Sequence, residues 1–594
     1  MRLHNALFVA CSAAVALGVV VVAQGQPQTA PATVVQGGTV IDVRTGALQA
    51  NSVIVIEGDR IARVGPAGQV QVPAGATVIN ASGKFVMPGL WDSHVHTRDY
   101  DGDLNINHGV TSTMDMGNLM DWVLAVQEAR AKQLWIGPRV FFQGMSIGGS
   151  LGPHQWNSRN VEQAVAGAKS NIAAGSNFLK VYANATPEMI KGVTDTAHPQ
   201  GLNVTGHLGR VDAREAILAG IDALAHGRGI PAATAPAEIA AKLKAARGAD
   251  EGGGNGEHEV EQEGPLPWAY ADPARFDDFI KFMIERNVRI EPNFVQEYHG
   301  AYPQWNQYQL ETHRLAMQPE LHYLREKFEM YMRMWDTDFP YPYPPSPRIQ
   351  ELLKKALANQ QLFTRKFSEA GGKLFIGTDN YYHAMAGLAV WHEMELEAAA
   401  GVSPLKILQA ATINPAEFVH QDKNLGTIEA GKLADILILA RNPLQDISNI
   451  RSLESVIQHG KVQPLGYKAE YRMLIPRPFL PVNGTFPKPH ITSISPVGVP
   501  TGSKNVVLTI KGTNFNRENR VMWDDLILQV LEFSPTQMTV AVPDDAVSRI
   551  GTWKVQMITG GRVQQESDNF MEVMVTAGKR IDTRYNGARN NTEF

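Results

Sequence analysis

Short apolar segments alternate with helix-length stretches over much of this sequence, and this alternation limits the fold more than any other feature. Eight such segments lie within residues 88–419, at 90–96, 110–116, 139–145, 177–182, 202–206, 221–226, 288–295 and 373–379. Eight strand–helix units in one run predict an α/β fold, a single (β/α)8 TIM barrel with insertions. A doubly wound open sheet is the alternative, but no glycine-rich phosphate loop follows the first segment.

Strand-like sequence also flanks the predicted barrel on both sides. Runs rich in β-branched residues and separated by turn residues occur before it and return after it, at 39–43, 52–56, 60–64, 431–439 and 455–462. We therefore expect 33–87 and 420–470 to join in one composite β-sandwich beside the barrel.

The remainder of the chain has a different texture. Residues 471–488 are rich in proline and predict a linker. Residues 489–575 contain short strand-like runs between turns, which is typical of an immunoglobulin-like all-β domain. Residues 576–594 are polar and predict a flexible tail.

Composition narrows the functional classes. The chain has 594 residues, 44% hydrophobic and 19% charged, with a formal net charge of −5, which excludes a mostly disordered chain and argues against nucleic-acid binding. Its single cysteine, Cys11, lies in an apolar N-terminal run, so the rest of the chain has no disulfide, thiolate metal site or cysteine nucleophile.

The N-terminus has the pattern of an export signal. Arg2 and His4 precede an apolar run over 6–23, and small and turn-forming residues follow it. This pattern predicts a signal peptide at 1–25 and a periplasmic or extracellular enzyme. The alternative is an uncleaved membrane anchor, since about 18 apolar residues can just span a bilayer; no other run approaches that length.

The side chains that carry chemistry lie where the predicted strands end. The first strand ends in Asp-Ser-His-Val-His, and residues two apart in a strand point the same way, so His94 and His96 can face one ion together. Four further residues end later strands, namely Lys180, His207, His226 and Asp379. Buried imidazoles and carboxylates are costly without partners, and a divalent cation provides one, so convergence at one end of the barrel indicates a metal site.

Three motifs resemble those of the amidohydrolase superfamily of metal-dependent hydrolases. They are FVMPGLWDSHVH at 85–96, AATINPA at 410–416 and GTIEAGKLAD at 426–435, and the resemblance covers about residues 35–465. The most similar subgroup is that of prolidase-like and imidazolonepropionase-like members. The resemblance implies the barrel and the composite β-domain.

By this resemblance, His94 and His96 would hold one metal and His207 and His226 a second. Lys180 stands where many members carry a carboxylated lysine, whose carbamate can bridge two metals. Asp379 would complete the first site and act as general base. Nitrogen and oxygen ligands without sulfur favour Zn²⁺, with Mn²⁺, Fe²⁺ or Co²⁺ as alternatives.

The function expected from this site is hydrolysis of an amide-type C–N bond in an N-acyl compound, a dipeptide-like compound or a cyclic amide. Deamination, lactone cleavage and phosphoester cleavage are alternatives on the same site, and a non-catalytic binding protein is an alternative of a different class. Metal analysis and a substrate panel would separate them.

Four residues are candidates for contact with a small-molecule amide or peptide substrate. His154 ends a glycine-rich turn, GGSLGPH, that is similar to one in dipeptide-cleaving members, with a solvent-exposed loop histidine as the alternative. Tyr182 follows Lys180 by two residues. Arg210 and Arg228 could bind a carboxylate bidentately, with a solvated surface position as the alternative. Gly-Arg-Gly follows His226 where those relatives often carry an aromatic residue, so peptide specificity is in doubt.

The C-terminal segment resembles an IPT/TIG domain, which is immunoglobulin-like. PHITSISP at 489–496 and LTIKGTNF at 508–515 carry the resemblance. No catalytic cluster is found there, and the domain could serve attachment, homo-oligomer contacts or spacing. Beyond the N-terminal segment, no membrane partner is expected.

Overall fold

The structure is a computed structural model. It describes residues 31–98, 100–149, 155–209, 211–247, 266–302, 306–321, 347–380, 384–468, 488–515, 519–524, 526–558, 567, 569–577 and 589–590. In chain order the strands among these residues are β1 (Thr33–Ile41), β2 (Leu48–Glu57), β3 (Arg60–Pro66), β4 (Thr77–Asn80), β5 (Phe85–Pro88), β6 (Leu90–Val95), β7 (Val110–Asp115), β8 (Arg139–Phe142), β9 (Ser146–Gly149), β10 (Gln155–Asn157), β11 (Leu179–Val181), β12 (Val204–Gly206), β13 (Ala223–Ala225), β14 (Arg289–Glu291), β15 (Ile436–Leu439), β16 (Leu453–Gln458), β17 (Lys461–Gln463), β18 (His490–Ser495), β19 (Gly498–Pro500), β20 (Val506–Thr513), β21 (Arg520–Trp523), β22 (Leu526–Ser534), β23 (Gln537–Val542), β24 (Gly551–Ile558), β25 (Asn569–Thr576) and β26 (Arg589–Asn590). The α-helices are α1 (Asp101–Asn107), α2 (Met120–Ala131), α3 (Val161–Ala173), α4 (Pro187–Ala197), α5 (Ala213–Leu218), α6 (Ile230–Thr234), α7 (Ala237–Arg247), α8 (Phe276–Ile284), α9 (Phe294–Ala301), α10 (Gln307–Ala316), α11 (Pro347–Glu369), α12 (Leu388–Ala399), α13 (Pro404–Ala410) and α14 (Ile413–Phe418).

Strands β6 to β14 form the wall of a parallel barrel. Strands β6, β7 and β8 pair in that order, and β10, β9, β11, β12, β13 and β14 pair in a second run. The backbone N–H of Asn177, just before β11, donates to the carbonyl of Phe142 in β8 (2.8 Å) and joins the two runs. The predicted (β/α)8 architecture is confirmed.

The eighth position in the wall is an extended segment over 373–379. On one side, the N–H of Phe375 donates to the carbonyl of Ile290 in β14 (2.9 Å). On the other side, the N–H of Ser93 in β6 donates to the carbonyl of Ile376 (2.7 Å). The segment therefore closes the ring between the seventh and the first strand.

The seventh strand is shorter than the sequence pattern suggests. The prediction ran over 288–295, but the strand is Arg289–Glu291 and the helix Phe294–Ala301 begins three residues later. Pro292 has no N–H for the strand ladder, and Asn293 has a left-handed backbone with φ of 58°. These two residues end the strand at Glu291.

An apolar layer fills the barrel beneath these strand ends. Phe178 and Phe375 precede Lys180 and Asp379 by two and four residues, so they lie on the same face of their strands. Both are fully buried and belong to one cluster with Phe418. The barrel interior beneath the strand ends is thus filled by apolar side chains, and the polar side chains lie above this layer, at the strand ends.

The two flanks of the barrel join in one sheet, in the order β17-β16-β15-β5-β1-β2-β3, with β4 also paired to β1. Residues 33–36 of β1 pair with β4, whereas Thr39 and Val40 pair with β5, and register shifts between them let the sheet fold over its own apolar core. The predicted run at 455–462 is a hairpin, β16 and β17, which turns at His459 and Gly460 in left-handed conformations.

A buried ion pair ties this sheet to the barrel. Arg139, at the start of β8, donates from Nε and Nη2 to the two carboxylate oxygens of Asp435 (2.8 and 3.2 Å). Its Nη2 also lies 2.9 Å from His459 Nδ1. Asp435 ends the GTIEAGKLAD motif, so this part of the motif has a structural role at the end of the barrel away from the candidate site.

The C-terminal strands β18 to β25 form a mainly antiparallel β-fold, in which β22 pairs with both β21 and β23, and β19 pairs with β25 in parallel. Alternate residues face one apolar core, as expected for an immunoglobulin-like domain. In the predicted tail, Arg589–Asn590 pairs with β25, and the rest of 578–594 lies outside the described residues.

The predicted signal peptide lies outside the described residues, and so does nearly all of the predicted linker. Across the part of the chain that the structure describes, no helix combines the length and the apolar character needed to cross a bilayer.

Candidate metal centre

The predicted side chains sit at the carboxyl ends of five barrel strands. His94 lies within Leu90–Val95 and His96 follows it, while Lys180 lies within Leu179–Val181. His207 and His226 each directly follow a strand, and Asp379 ends the extended eighth segment. Parallel strands of a barrel end at one face, so these six side chains share that face.

The backbone is strained where three consecutive strands end. His226, Asn293 and Asp379 have φ values of 56°, 58° and 44°, in the left-handed region that non-glycine residues rarely adopt. These residues follow the sixth, seventh and eighth strands. Such conformations cost about 1–3 kcal/mol each and are found mainly where the surrounding structure fixes a functional side chain.

Asp379 lies at the centre of the group. Its Oδ1 is 3.3 Å from His96 Nε2 and 3.9 Å from His94 Nε2, and its Oδ2 is 3.5 Å from His226 Nε2. Lys180 Nζ lies 3.3 Å from His94 Nε2. Donor atoms of His94, His226 and Asp379 all lie within 4.8 Å of one another, a spacing that one ion could bridge.

The imidazoles of His94, His96 and His226 each have a hydrogen-bond partner at Nδ1. His94 Nδ1 lies 2.7 Å from Glu291 Oε2, and His96 Nδ1 lies 2.7 Å from the carbonyl of Gly117. His226 Nδ1 donates to the Asn293 amide oxygen (3.0 Å) when that amide is oriented to satisfy its neighbours. A proton held on Nδ1 leaves the Nε2 lone pair free, which is the arrangement typical of metal-binding histidines.

The second half of the centre is formed by His207. Its ring centroid lies 5.0 Å from that of His226, and it stacks on Tyr182 at 4.5 Å and 22° between planes. Among the described residues, Nε2 of His226 is buried and has no hydrogen-bond partner. An orphaned buried nitrogen beside an anionic oxygen fits a position where a cation completes the contacts.

The charge states favour cation binding. Burial lowers the pKa of His94, His207 and His226 well below the usual range, so these imidazoles are neutral and keep their lone pairs. The Asp379 oxygens face these nitrogens at 3.3 to 3.9 Å, and a cation between them would relieve the repulsion between lone pairs. The centre therefore combines neutral nitrogen donors with a carboxylate.

Lys180 is unusual among lysines. Its side chain is fully buried, and burial lowers its pKa to about 8 against the attraction of Asp379, Glu291 and Asp115. An ammonium cannot bind a cation, but an amine with a lowered pKa is nucleophilic at moderate pH. This residue can thus be modified to an anionic ligand under conditions where an exposed lysine stays protonated.

Comparison with protein families supports the same assignment. Residues 85–462 match the amidohydrolase family model, and 489–570 match the IPT/TIG domain model. The chain belongs to the amidohydrolase family. Membership assigns it to a family of hydrolases that act on carbon–nitrogen bonds, and its C-terminal domain is of the IPT/TIG type.

Curated relatives of this amidohydrolase match it only locally. A dihydroorotase of Pelotomaculum thermopropionicum is 46% identical over 65 residues, which is 11% of this chain and 14% of the relative. An adenine deaminase of Rubrobacter xylanophilus is 39% identical over 67 residues, 11% of each protein. Each match thus spans about a seventh or less of the relative, so neither relative's activity transfers to this chain.

Solved structures extend the likeness to about three quarters of the chain. A candidate prolidase from Bifidobacterium longum is 21% identical, with a TM-score of 0.53 over 75% of this chain and 98% of that chain. At this identity the comparison establishes the fold. This amidohydrolase therefore has prolidase-like structural neighbours, and its own substrate must be argued from its residues.

Two of the four predicted substrate residues, His154 and Arg210, lie outside the described residues. Tyr182 lies at the centre through its stacking on His207. Arg228 follows His226 by two residues, and its positive charge contributes to the lowered pKa of His207 and of His226. Tyr182 and Arg228 therefore remain candidates beside the centre of this amidohydrolase.

Sequence reasoning missed Glu291 and Asn293, which hold two of the imidazoles. A signal was present: Arg-Ile-Glu-Pro-Asn places a carboxyl residue at the end of an apolar segment, followed by a proline and by a residue that tolerates left-handed backbone. Asp92 was also missed. It accepts hydrogen bonds from Thr378 Oγ1 (2.6 Å) and from the N–H of His94 (3.1 Å), and it links the first and eighth strands.

Proposed function

We propose that this amidohydrolase is an exported enzyme that cleaves an amide-type C–N bond in a small molecule, using water activated by two divalent cations. The carrying observation is the carboxylate of Asp379, which faces the Nε2 atoms of three anchored histidines beside Lys180. Export is supported by the basic start and apolar run of residues 1–25.

The donor set supports a metal centre of nitrogen and oxygen ligands. We propose that His94, His96 and Asp379 hold one cation, that His207 and His226 hold a second, and that Lys180, carboxylated on Nζ, bridges them. Zn²⁺ is favoured because neutral imidazoles and carboxylates without thiolates are its common ligands in hydrolases. Bound cations of this kind would acidify a water molecule and polarise the scissile carbonyl.

The chain's own part in the reaction falls to Asp379. Its carboxylate lies between the proposed metal-binding histidines, so an oxygen can accept a proton from the attacking water. The protonated carboxyl can then deliver that proton to the leaving nitrogen, which departs as a neutral amine. Neutral His94, His207 and His226 do not compete for the proton, because burial opposes their protonation.

Metal analysis with a substrate panel tests this proposal. Protein purified without added chelator is expected to contain about two zinc equivalents, as a two-metal hydrolase would. Chelation should abolish the hydrolysis of N-acyl amino acids, dipeptides or cyclic amides, and zinc should restore it. A protein without bound metal, or one that cleaves only lactones or phosphoesters, would contradict the proposal.

Arg228 supports a substrate with a carboxylate near the scissile bond. Arg228 follows His226 by two residues, its charge contributes to the lowered pKa of His207, His226 and Lys180, and its side chain is only partly buried. A guanidinium binds carboxylate bidentately, and hydrogen bonds to charged groups contribute about 1.5–3 kcal/mol. We therefore propose an N-acyl amino acid or a similar acid as substrate.

Replacing Arg228 by glutamine is expected to raise KM for the acid about 10- to 100-fold, because the lost bonds are charge-assisted. The corresponding substrate with a neutral carboxamide should show no such change. Steady-state kinetics on this matched pair measures the effect, and Arg286→Gln, which removes an arginine that stacks on Phe282, is the control. An equal loss on both substrates would argue against carboxylate recognition.

A further inference from the structure

We propose that Glu291 is a positioning residue that holds His94 in the metal-binding orientation and sets the affinity of the centre. The inference deepens the proposed function, since it depends on a metal being held there by His94. Glu291 does not reach the substrate position in this account; it acts through the imidazole.

The contact is short and fully enclosed. Glu291 Oε2 lies 2.7 Å from His94 Nδ1, and the two side chains are 2% and 1% exposed. Glu291 ends the seventh strand and His94 lies in the first, so the bond joins the two strands that flank the eighth segment. Without water to compete, this hydrogen bond fixes both the tautomer and the plane of the ring.

The other anchored imidazoles have neutral acceptors. His96 Nδ1 faces the carbonyl of Gly117 and His226 Nδ1 faces the amide of Asn293. Among these three rings, only His94 has an acidic side chain as its Nδ1 partner. A carboxylate acceptor makes the imidazole a stronger donor at Nε2 than an amide does, and that Nε2 faces both Lys180 Nζ and Asp379.

Gly377 of the eighth segment has no side chain, and the carboxyl group of Glu291 occupies the space that a side chain would need. A Cβ added to Gly377 would lie 2.7 Å from Cδ and from Oε1 of Glu291, a distance that side chains do not tolerate. The backbone of Gly377 therefore packs directly against the carboxyl group and limits its movement. A substitution at Gly377 would therefore displace the carboxyl group of Glu291 without changing either Glu291 or His94.

Glu291 contacts Nδ1 of His94, the ring nitrogen that does not face Asp379 or Lys180, so it acts on the metal-binding Nε2 only through the ring. Removing the carboxyl is therefore expected to weaken metal binding, whereas the fold should be retained because the seventh strand keeps its backbone pairing.

The test measures zinc affinity of the full chain by competition with a chromogenic chelator, together with the visible absorption of the Co²⁺-substituted protein. Glu291→Leu is expected to weaken zinc binding about 10- to 100-fold and to change the Co²⁺ spectrum. Glu291→Gln keeps an oxygen acceptor for Nδ1–H, so it should retain the wild-type spectrum and lose less affinity. Gly377→Ala should reproduce the loss of Glu291→Leu by displacing the carboxyl.

Glu397→Leu is the matched control, because Glu397 is fully buried and neither carboxyl oxygen has a hydrogen-bond partner among the described residues. It should bind zinc as the wild type does.

Wild-type affinity and spectrum in both Glu291→Leu and Gly377→Ala would overturn the inference while leaving the proposed function intact. Failure of the wild type itself to bind metal would overturn the proposed function and the inference with it. If Glu291→Leu does not fold, the isosteric Glu291→Gln and Gly377→Ala decide the outcome.

Discussion

Replacing Asp379 by asparagine is expected to lower kcat by about 10²–10⁴-fold, the contribution of a positioned general base and acid. Oδ1 of Asp379 faces two histidines and Oδ2 faces a third, so the substitution removes the carboxylate from the middle of the centre. Because the same group is proposed as a ligand, metal content should also fall. Steady-state kinetics and metal analysis of the purified variant measure the two effects separately.

Asparagine is the right replacement because of the backbone at this position. Asp379 has φ of 44°, and asparagine tolerates the left-handed region better than most residues, so the turn should persist. Asp524 offers a matched control: it is an exposed aspartate with φ of 47° in the IPT/TIG domain. Asp524→Asn should keep full activity. Retained turnover in Asp379→Asn would remove the proton-transfer role.

The fold was predictable because both of its signals are local. Strand–helix alternation follows from which residues are apolar, and His94 and His96 share a face because alternate residues of a strand do. Asp379 lies beside these two histidines because the barrel closes: the eighth segment must pair with the first strand. Six of the site's side chains could therefore be assembled from strand ends alone.

What supports those side chains was harder to predict. Glu291 contacts His94 across 197 positions in the sequence, and nothing within either strand specifies the pairing. The carbonyl of Gly117 that holds His96 is a backbone atom and leaves no mark in residue type. Long-range contacts of this kind depend on the residue at which each strand ends. The contact with His94 forms because the seventh strand ends at Glu291.

The second substitution with a large expected effect on activity is at Lys180. Replacing it by alanine is expected to abolish turnover and to lower metal content, because the proposed carbamate supplies the bridging negative charge. The side chain of Lys180 is fully buried beside His94, with Nζ 3.3 Å from Nε2. Adding a short carboxylic acid, which can occupy the space left by the side chain, should restore part of the activity. Lys191→Ala, which removes an exposed lysine of α4, is the control.

The proposed carboxylation would be a reaction of the neutral amine. Nζ forms a bond to the carbon of CO₂ and loses one proton to solvent, so the product is an anionic carbamate. Burial lowers the pKa of Lys180 from 10.5 to about 8, so near pH 8 half of the side chain is neutral. An exposed lysine would be about 1 in 300 neutral at that pH, from the difference between the two pKa values.

Carboxylation should therefore follow the neutral fraction of Lys180. When metal-free protein is reconstituted with zinc at a fixed concentration of dissolved CO₂, the initial rate of activation should rise with pH and level off above about 8. Each unit below that value should slow it about tenfold, since the neutral fraction falls by that factor. Mass spectrometry under non-acidic conditions should detect one added CO₂ per chain, absent in Lys180→Ala. A rate that does not depend on CO₂ would contradict the carbamate, because zinc would then bind without the ligand that bridges the two halves of the centre.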